Sequence, residues 1–319
     1  MVFMRFTDNL ATYRLMRNLV RIRLLYRLGR WFLDRFISDE KYLALMYRIK
    51  MGKRLNLQNP QAFTEKIQWL KLNWRCDILT QCQDKYGVRK FVENRIGSEL
   101  LKDLYGVYEK PEDIDINRLP DAFVLKVNHG CKQNIFCKKK SELDWNNTVS
   151  LLTEYLKNNL YYPHREWAYK NIVPRIVCEE HLTKDGETLY DYSFYCYNGV
   201  PRLVEIQEDK AGCERINMFD INLNLLENKY KDPPLLESFV RPMQFEKMVE
   251  YAFKLSEGFQ FVRVDLLYIN NQMYFGEMTF YPLAGLVKIY PESFDYFLGS
   301  FLELPSISKS SHSCLSERA

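Results

Sequence analysis

The 319 residues carry 45 Lys and Arg against 41 Asp and Glu, with 47% hydrophobic and 15% aromatic side chains. Such a chain buries one large core or two to three small lobes around a cleft, which excludes a disordered chain. Four histidines without a His-x-x-x-His pair and eight cysteines without a CxxC pair leave a transition-metal centre little material. A metal here would be a hard ion held by carboxylates. No signal peptide precedes the cysteines, so reduced thiols in a cytoplasmic protein are expected.

Charge is unevenly spread: residues 1–54 hold 13 Lys and Arg against 4 Asp and Glu, and the remaining 265 hold 32 against 37. Within the basic end, residues 9–36 are apolar, but arginine recurs every few positions. Each arginine at mid-bilayer costs at least ~2.5 kcal/mol, so this is not a membrane span. As a helix it places Leu15, Leu19, Ile22 and Tyr26 on one side, while Arg14, Arg17 and Arg21 lie apart from Arg23, Arg27 and Arg30. Two settings stay open: a helix lying on anionic lipid, or a basic helix packed on the body or on a partner. Nucleic acid is not expected as a partner, since the body is mildly acidic and carries no nucleic-acid-binding motif.

Further along, a helix is expected to start near Thr64 and carry Ile67, Trp69, Leu70 and Leu72, and another to run over 84–92. The segment PDAFVLKVNHG reads as a turn, a short buried strand and a polar loop, followed by a strand over 134–138. That is strand–loop–strand, unlike the strand–loop–helix of a P-loop. A helix over 149–160, a strand over 175–179 and a hairpin of 190–197 with 202–207 about Asn198-Gly199 come next. A helix over 245–255 and a hairpin of 261–269 with 272–279 follow, and the serine-rich tail reads as flexible.

Five fragments, DKYGVRKFV, FVLKVNHG, PRIVCEEHL, DYSFYCYNG and FVRVDLLYINNQMYFGEMTFYPLAG, stand in an order and spacing that resembles the ATP-grasp amide ligases of teichuronopeptide biosynthesis, the TupA-like family. The resemblance covers about residues 55–304, between a basic helical arm (1–54) and a flexible tail (305–319). It implies an α+β ATP-grasp fold, in which two lobes clamp ATP between antiparallel sheets. It also implies an ATP- and Mg2+-dependent carboxylate–amine ligase working through an acyl phosphate. The expected substrates are an amino acid or amino sugar and a surface polysaccharide, such as a capsule, or its precursor, and the expected place is cytoplasmic or peripheral on the inner face of the membrane.

By the same resemblance Lys85 and Lys126 are the phosphate-binding cations, and Asn128 to Phe136 form the loop over the phosphates, with Gly130 its single glycine. An ammonium in an apolar strand needs an anion, which agrees with the role of Lys126. Glu179 to Leu182 resembles the adenine hinge, with Glu179, Glu180 and Asp191 competing for the ribose. Where the family pattern has a lysine after Asp191-Tyr192, this chain has Ser193.

The final hairpin carries the metal chemistry. Arg263 and Asp265 project from one face of a strand, as do Glu277 and Thr279. Asp265 and Glu277 would hold the magnesium, with Thr279 where such enzymes usually have asparagine, and Arg263 would meet charge developing on phosphate. A two-residue Asn270-Asn271 turn alone pairs Asp265 with Gly276 and sets the two carboxylates on opposite faces; a bulge or a longer loop pairs Asp265 with Glu277.

Rival readings are a glycosyltransferase, through Asp113-Ile114-Asp115, a kinase acting on glycans, and a non-catalytic membrane-attached module. Asp113 and Asp115 lie in a polar stretch without a preceding apolar strand, which reads as a turn. Specificity is expected in loops over 161–175 and 207–217. Removing residues 1–36 is expected to leave nucleotide binding intact and to lower sedimentation with anionic vesicles at low salt; unchanged sedimentation would favour a helix packed on protein.

Overall fold

The computed structural model describes residues 37–183, 187–210, 213–226 and 241–306. The arm helix over 9–36 and the tail beyond 306 lie outside the described residues. Helix α1 (Asp39–Met51) is capped by Ser38, whose hydroxyl accepts from Lys41 N, and ends at the left-handed Gly52. Grouped with the arm in the sequence, α1 in fact packs on the body. Tyr47 hydrogen-bonds Thr64 at 2.9 Å and Asp39 accepts from Arg75 at 2.6 Å.

Helix α2 (Phe63–Asn73) starts where Glu65 folds back on the Gln61 and Ala62 amides and Asp295 accepts from both the Thr64 amide and hydroxyl. The helix expected over 84–92 starts only at Val88, as α4 (Val88–Ile96), and a separate helix α3 (Asp77–Gln83) ends just before Asp84. Asp84 causes the break, since its carboxylate accepts from Tyr86 N in a local turn while the Lys85 amide is drawn to Asn128 O. Lys85 therefore sits on a turn between helices.

Strands β1 (Leu104–Tyr108), β2 (Phe123–Val127), β3 (Asn134–Cys137) and β4 (Ile176–Glu180) form an antiparallel sheet in the order β1-β4-β2-β3. Phe123, Leu125, Ile176 and Cys178 alternate onto one face, where Leu152 of α5 (Trp145–Leu156) completes a small core. Asp144 caps α5 through Asn147 N, so the helix begins before the expected position 149. Val124, Lys126, Val177 and Glu179 take the other face. A short helix α6 (Tyr161–His164) and a turn at Trp167–Tyr169 lead into β4, in a segment expected to be loop.

The second sheet has the order β7-β6-β5-β8-β9, all antiparallel: β5 (Leu189–Tyr197), β6 (Val200–Lys210), β7 (Cys213–Asp220), β8 (Phe261–Ile269) and β9 (Gln272–Thr279). The region 207–217, expected to be a specificity loop, is thus largely the β6–β7 hairpin. Helix α7 (Phe245–Ser256) covers one face, with Phe245 stacked near Tyr192 and Phe194. On the other face Phe63 of α2 meets Tyr197 and Phe261, covering only that end of the sheet. Helix α8 (Glu292–Ser300) packs on α2, where its Gly299 carbonyl accepts from Lys66.

Cys82, Cys131, Cys137, Cys178 and Cys196 are free, whereas Cys76 is disulfide-bonded, a departure from the expectation of reduced thiols. Among the described residues no helix is long and apolar enough to cross a membrane. The two cores are separate, so Leu152→Ala is expected to cost about 2–5 kcal/mol in the small lobe alone. Hydrogen exchange should then show early loss of protection in β2 and β4 while β5 and β8 stay protected.

Candidate active site

The uncovered end of the large sheet carries a polar face. Ser193 pairs with Asp265 across β5–β8 and with Glu205 across β5–β6, which gathers Asp191, Ser193, Glu205, Arg263 and Asp265 on one surface. The β8–β9 hairpin turns through Asn270 and Asn271, both at positive φ, in the two-residue turn that left-handed asparagines allow. That turn alone would set Asp265 opposite Gly276. A bulge follows, however: Leu266 pairs with Phe275 and Val264 with Met278, leaving Gly276 and Glu277 together opposite Asp265. The backbones come so close that a Cβ on Gly276 would stand 2.9 Å from the Asp265 carbonyl oxygen. The extra residue brings Glu277 to the Asp265 face, where its Oε1 lies 3.7 Å from Arg263 Nη2 and accepts from Thr279 at 3.2 Å.

Arg263 does not reach outward from this face. It forks onto Asp265, Nε to Oδ1 at 2.7 Å and Nη2 to Oδ2 at 2.6 Å, and Ser193 adds a hydroxyl at 2.9 Å. Burial, and then the nearby Asp265, raises the Asp191 carboxyl well above its ordinary range. Burial also raises Asp265 against the pull of Arg263. For Glu277 burial acts upward too, but Lys85, Arg263 and Lys126 hold it below the ordinary range.

The opposing sheet presents cations. Lys126 is buried on β2 and ion-pairs with Glu179 of β4, which also lies near Lys102 at 3.7 Å and Arg89 at 3.6 Å. Burial and the neighbouring Lys102 push Lys126 down to about 8. Burial would raise Glu179, yet Lys126 and Lys102 hold it low. Glu179 is thus tied into a cationic cluster, while strand alternation turns Glu180 to the opposite face, where its amide donates to Asp103 O. Lys85 joins the two halves, donating to Gly130 O at 2.7 Å and lying 3.4 Å from Glu277.

Asn128, expected over the phosphates, is instead spent inside the protein. Its Nδ2 donates to Asp84 and to Val173 O, and its Oδ1 accepts from Arg175 N and lies 3.0 Å from His129 Nδ1. That uses both N–H donors of the amide, so the side chain has no proton left for a phosphate. The loop that it roots contains Gly130, Cys131 and the left-handed Lys132. Asp265, Glu277 and Thr279 share one face of the large sheet about Arg263, Lys85 meets Glu277 there and Lys126 stays paired with Glu179, while Asp113 and Asp115 lie in turns of the small lobe. Sequence reasoning passed over Arg89, Lys102 and Glu205. Lys102 stands in a short polar stretch, Arg89 reads as one more exposed helix cation, and only the register of β6 exposes Glu205.

Two antiparallel sheets, one presenting lysines and the other clustered carboxylates across a cleft, define an ATP-grasp architecture. The TupA-like ATPgrasp family model matches residues 65–303, and the chain belongs to that family. Solved structures similar to it include D-alanine–D-alanine ligase from Bacillus anthracis, at 17% identity over 63% of this chain and 58% of that one, with TM-score 0.36. The same enzyme complexed with ATP gives 14%, 76% and 82%, with TM-score 0.40. L-amino acid ligase from Bacillus licheniformis gives 12%, 76% and 55%, with TM-score 0.42. The chain therefore spans little more than half of the first and last of these. No curated protein matches it.

Asn128→Ala is expected to destabilise the fold by about 2–4 kcal/mol, since it strands buried groups of the 173–175 segment. Urea denaturation measures this, and a change under about 0.5 kcal/mol would refute the lock.

Proposed function

We propose that this chain is an ATP- and magnesium-dependent carboxylate–amine ligase that activates a carboxylate as its acyl phosphate. The observation that carries this reading is Lys85, which links the Gly130 loop on one sheet to the metal-type carboxylate Glu277 on the other. Phosphoryl transfer needs cations around the phosphates and carboxylates that position a metal on them, and this arrangement brings both to one cleft. Lys85 and Lys126 would bind phosphate oxygens. Displacing Glu179 from Lys126 would free that lysine's ammonium, already buried, for a ligand anion.

The donor set fits magnesium. Among the described residues no cluster of three or more His, Cys, Asp or Glu could hold a metal by itself, and magnesium is ordinarily held by one or two carboxylates together with substrate phosphates. Asp265 and Glu277 would supply those carboxylates, steadied by the Thr279 hydroxyl. The raised carboxyls of Asp191 and Asp265 mark a face that is short of positive charge. Magnesium, when bound, supplies charge stabilisation to the phosphoryl group.

The resemblance of the chain supports an amino acid or amino sugar as the amine and a surface polysaccharide or its precursor as the acceptor; the basic charge of residues 1–36 suits a contact with anionic membrane. Asp265→Asn and Glu277→Gln keep shape and remove charge, and each is expected to lower turnover at least ~100-fold. The assay is ADP release over candidate acids and amines, with the products identified by mass. ADP with an amide supports the ligase. Nucleoside diphosphate with a glycoside, or ADP with a phosphoester, would replace it, as would near-normal turnover of Glu277→Gln at limiting magnesium.

A further inference from the structure

One carboxylate near the phosphate end of the cleft is not accounted for. Glu166 follows the left-handed Arg165, which is held by Asp39 at 3.1 Å and by the Tyr42 ring at 4.1 Å, and it opens the turn Trp167–Tyr169. The residue is 8% exposed. Its backbone carbonyl accepts from Tyr169 N, but among the described residues no group hydrogen-bonds or ion-pairs with its carboxylate. Of the other acids about the two sheets, Asp265 and Glu179 are buried and Asp191, Glu205 and Glu277 partly exposed, and each has a partner. Asp265 has Arg263, Glu179 has Lys126, Glu277 has Thr279 and Lys85, Asp191 has Ser193, and Glu205 has the Tyr195 hydroxyl.

The nearest cation does not fill the gap. Lys71, fully buried on α2, spends its three protons on Gln68 Oε1, His164 O and Ala284 O, so Glu166 receives its field without a bond from it. Burial pushes the pair toward neutrality, Glu166 up to about 7 and Lys71 down to about 8. Glu166 opens the turn whose Tyr169 hydroxyl accepts from Gln83 at 3.0 Å, one residue before the Asp84 turn that carries Lys85.

We infer that Glu166 is the contact for the attacking amine: its carboxylate holds the ammonium group of a primary-amine substrate beside the acyl phosphate and takes the proton that must leave first. The inference rests on the ligase reading. A buried carboxylate without a protein donor is costly, and an ammonium supplies the missing partner. In the step, R–NH3+ gives one proton to Glu166, and the free amine attacks the acyl carbonyl carbon. The C–N bond forms, the C–O bond to phosphate breaks, and the second nitrogen proton leaves on hydrogen phosphate. A carboxyl titrating near neutrality suits that transfer.

The test is direct binding. Saturation-transfer NMR compares glucosamine with glucose and glycinamide with acetamide, on wild type and Glu166→Gln, with and without a magnesium complex of a non-hydrolysable ATP analogue. The amines should bind and the neutral isosteres should not, and Glu166→Gln should weaken amine binding at least about tenfold. A second measurement needs no variant: carbodiimide labelling of Glu166 in wild type, mapped by mass, should be protected by glucosamine and not by glucose. Equal amine binding in both proteins, no amine binding to wild type with the analogue bound, or absent protection would overturn the inference. Failure of the analogue to bind while Glu166-dependent amine binding persists would instead sink the nucleotide reading alone.

Discussion

A single extra residue on β9 determines where the acidic half of the cleft can form. Without the bulge at Gly276-Glu277, strand alternation would turn Glu277 toward the face covered by α7, among Tyr192, Phe194 and Phe245. An unpaired carboxylate there would cost several kcal/mol, about what desolvating an ion without a partner demands. With the bulge, Glu277 meets Arg263 and Lys85, and Lys85 in turn holds the Gly130 carbonyl of the opposite lobe. Hairpin register, the Asp265–Glu277 face and the position of the Gly130 loop are thus one linked arrangement.

The large sheet uses its two faces differently. One is buried under α7 along its length. The other is apolar at one end, where Phe63 of α2 packs on Tyr197 and Phe261, and polar at the other, where Ser193, Glu205, Arg263 and Asp265 gather. Since alternate residues of a strand share a face, the change from Tyr197 to Asp191 along β5 is the change from core to site. The buried acids are tolerated because hydroxyl and guanidinium donors surround them.

The strongly patterned elements were legible in the sequence. The β8–β9 hairpin has its expected limits, and β2 and β4 fall within a residue or two of theirs. The two alternative registers of the hairpin were also readable, but choosing between them required the backbone, because an Asn-Asn turn allows either. What the sequence hid has local causes. Asp84 delayed a helix start through its own side-chain turn, β7 lacked strong alternation, and α1, itself nearly balanced in charge, was absorbed into a block of residues 1–54 that is basic as a whole. Asn128 was legible as a loop residue, but a side chain that serves three partners distant in sequence looks no different from one that serves a ligand. Glu166 stood in a mixed stretch of aromatic and charged residues, and its significance rests on what surrounds it in space.

Asn128 also fixes how the cleft can move. Its amide ties together the Asp84 turn, the 173–175 segment and the first residues of the loop. The stem of the loop therefore travels with Lys85 as one rigid piece, and neither can be displaced without breaking buried hydrogen bonds. Beyond this stem the chain turns at the left-handed Lys132 into β3, where the exposed Phe136 rests 6.0 Å from the His181 ring. Lys85 and the Gly130 carbonyl that it holds are thereby kept in fixed register with each other.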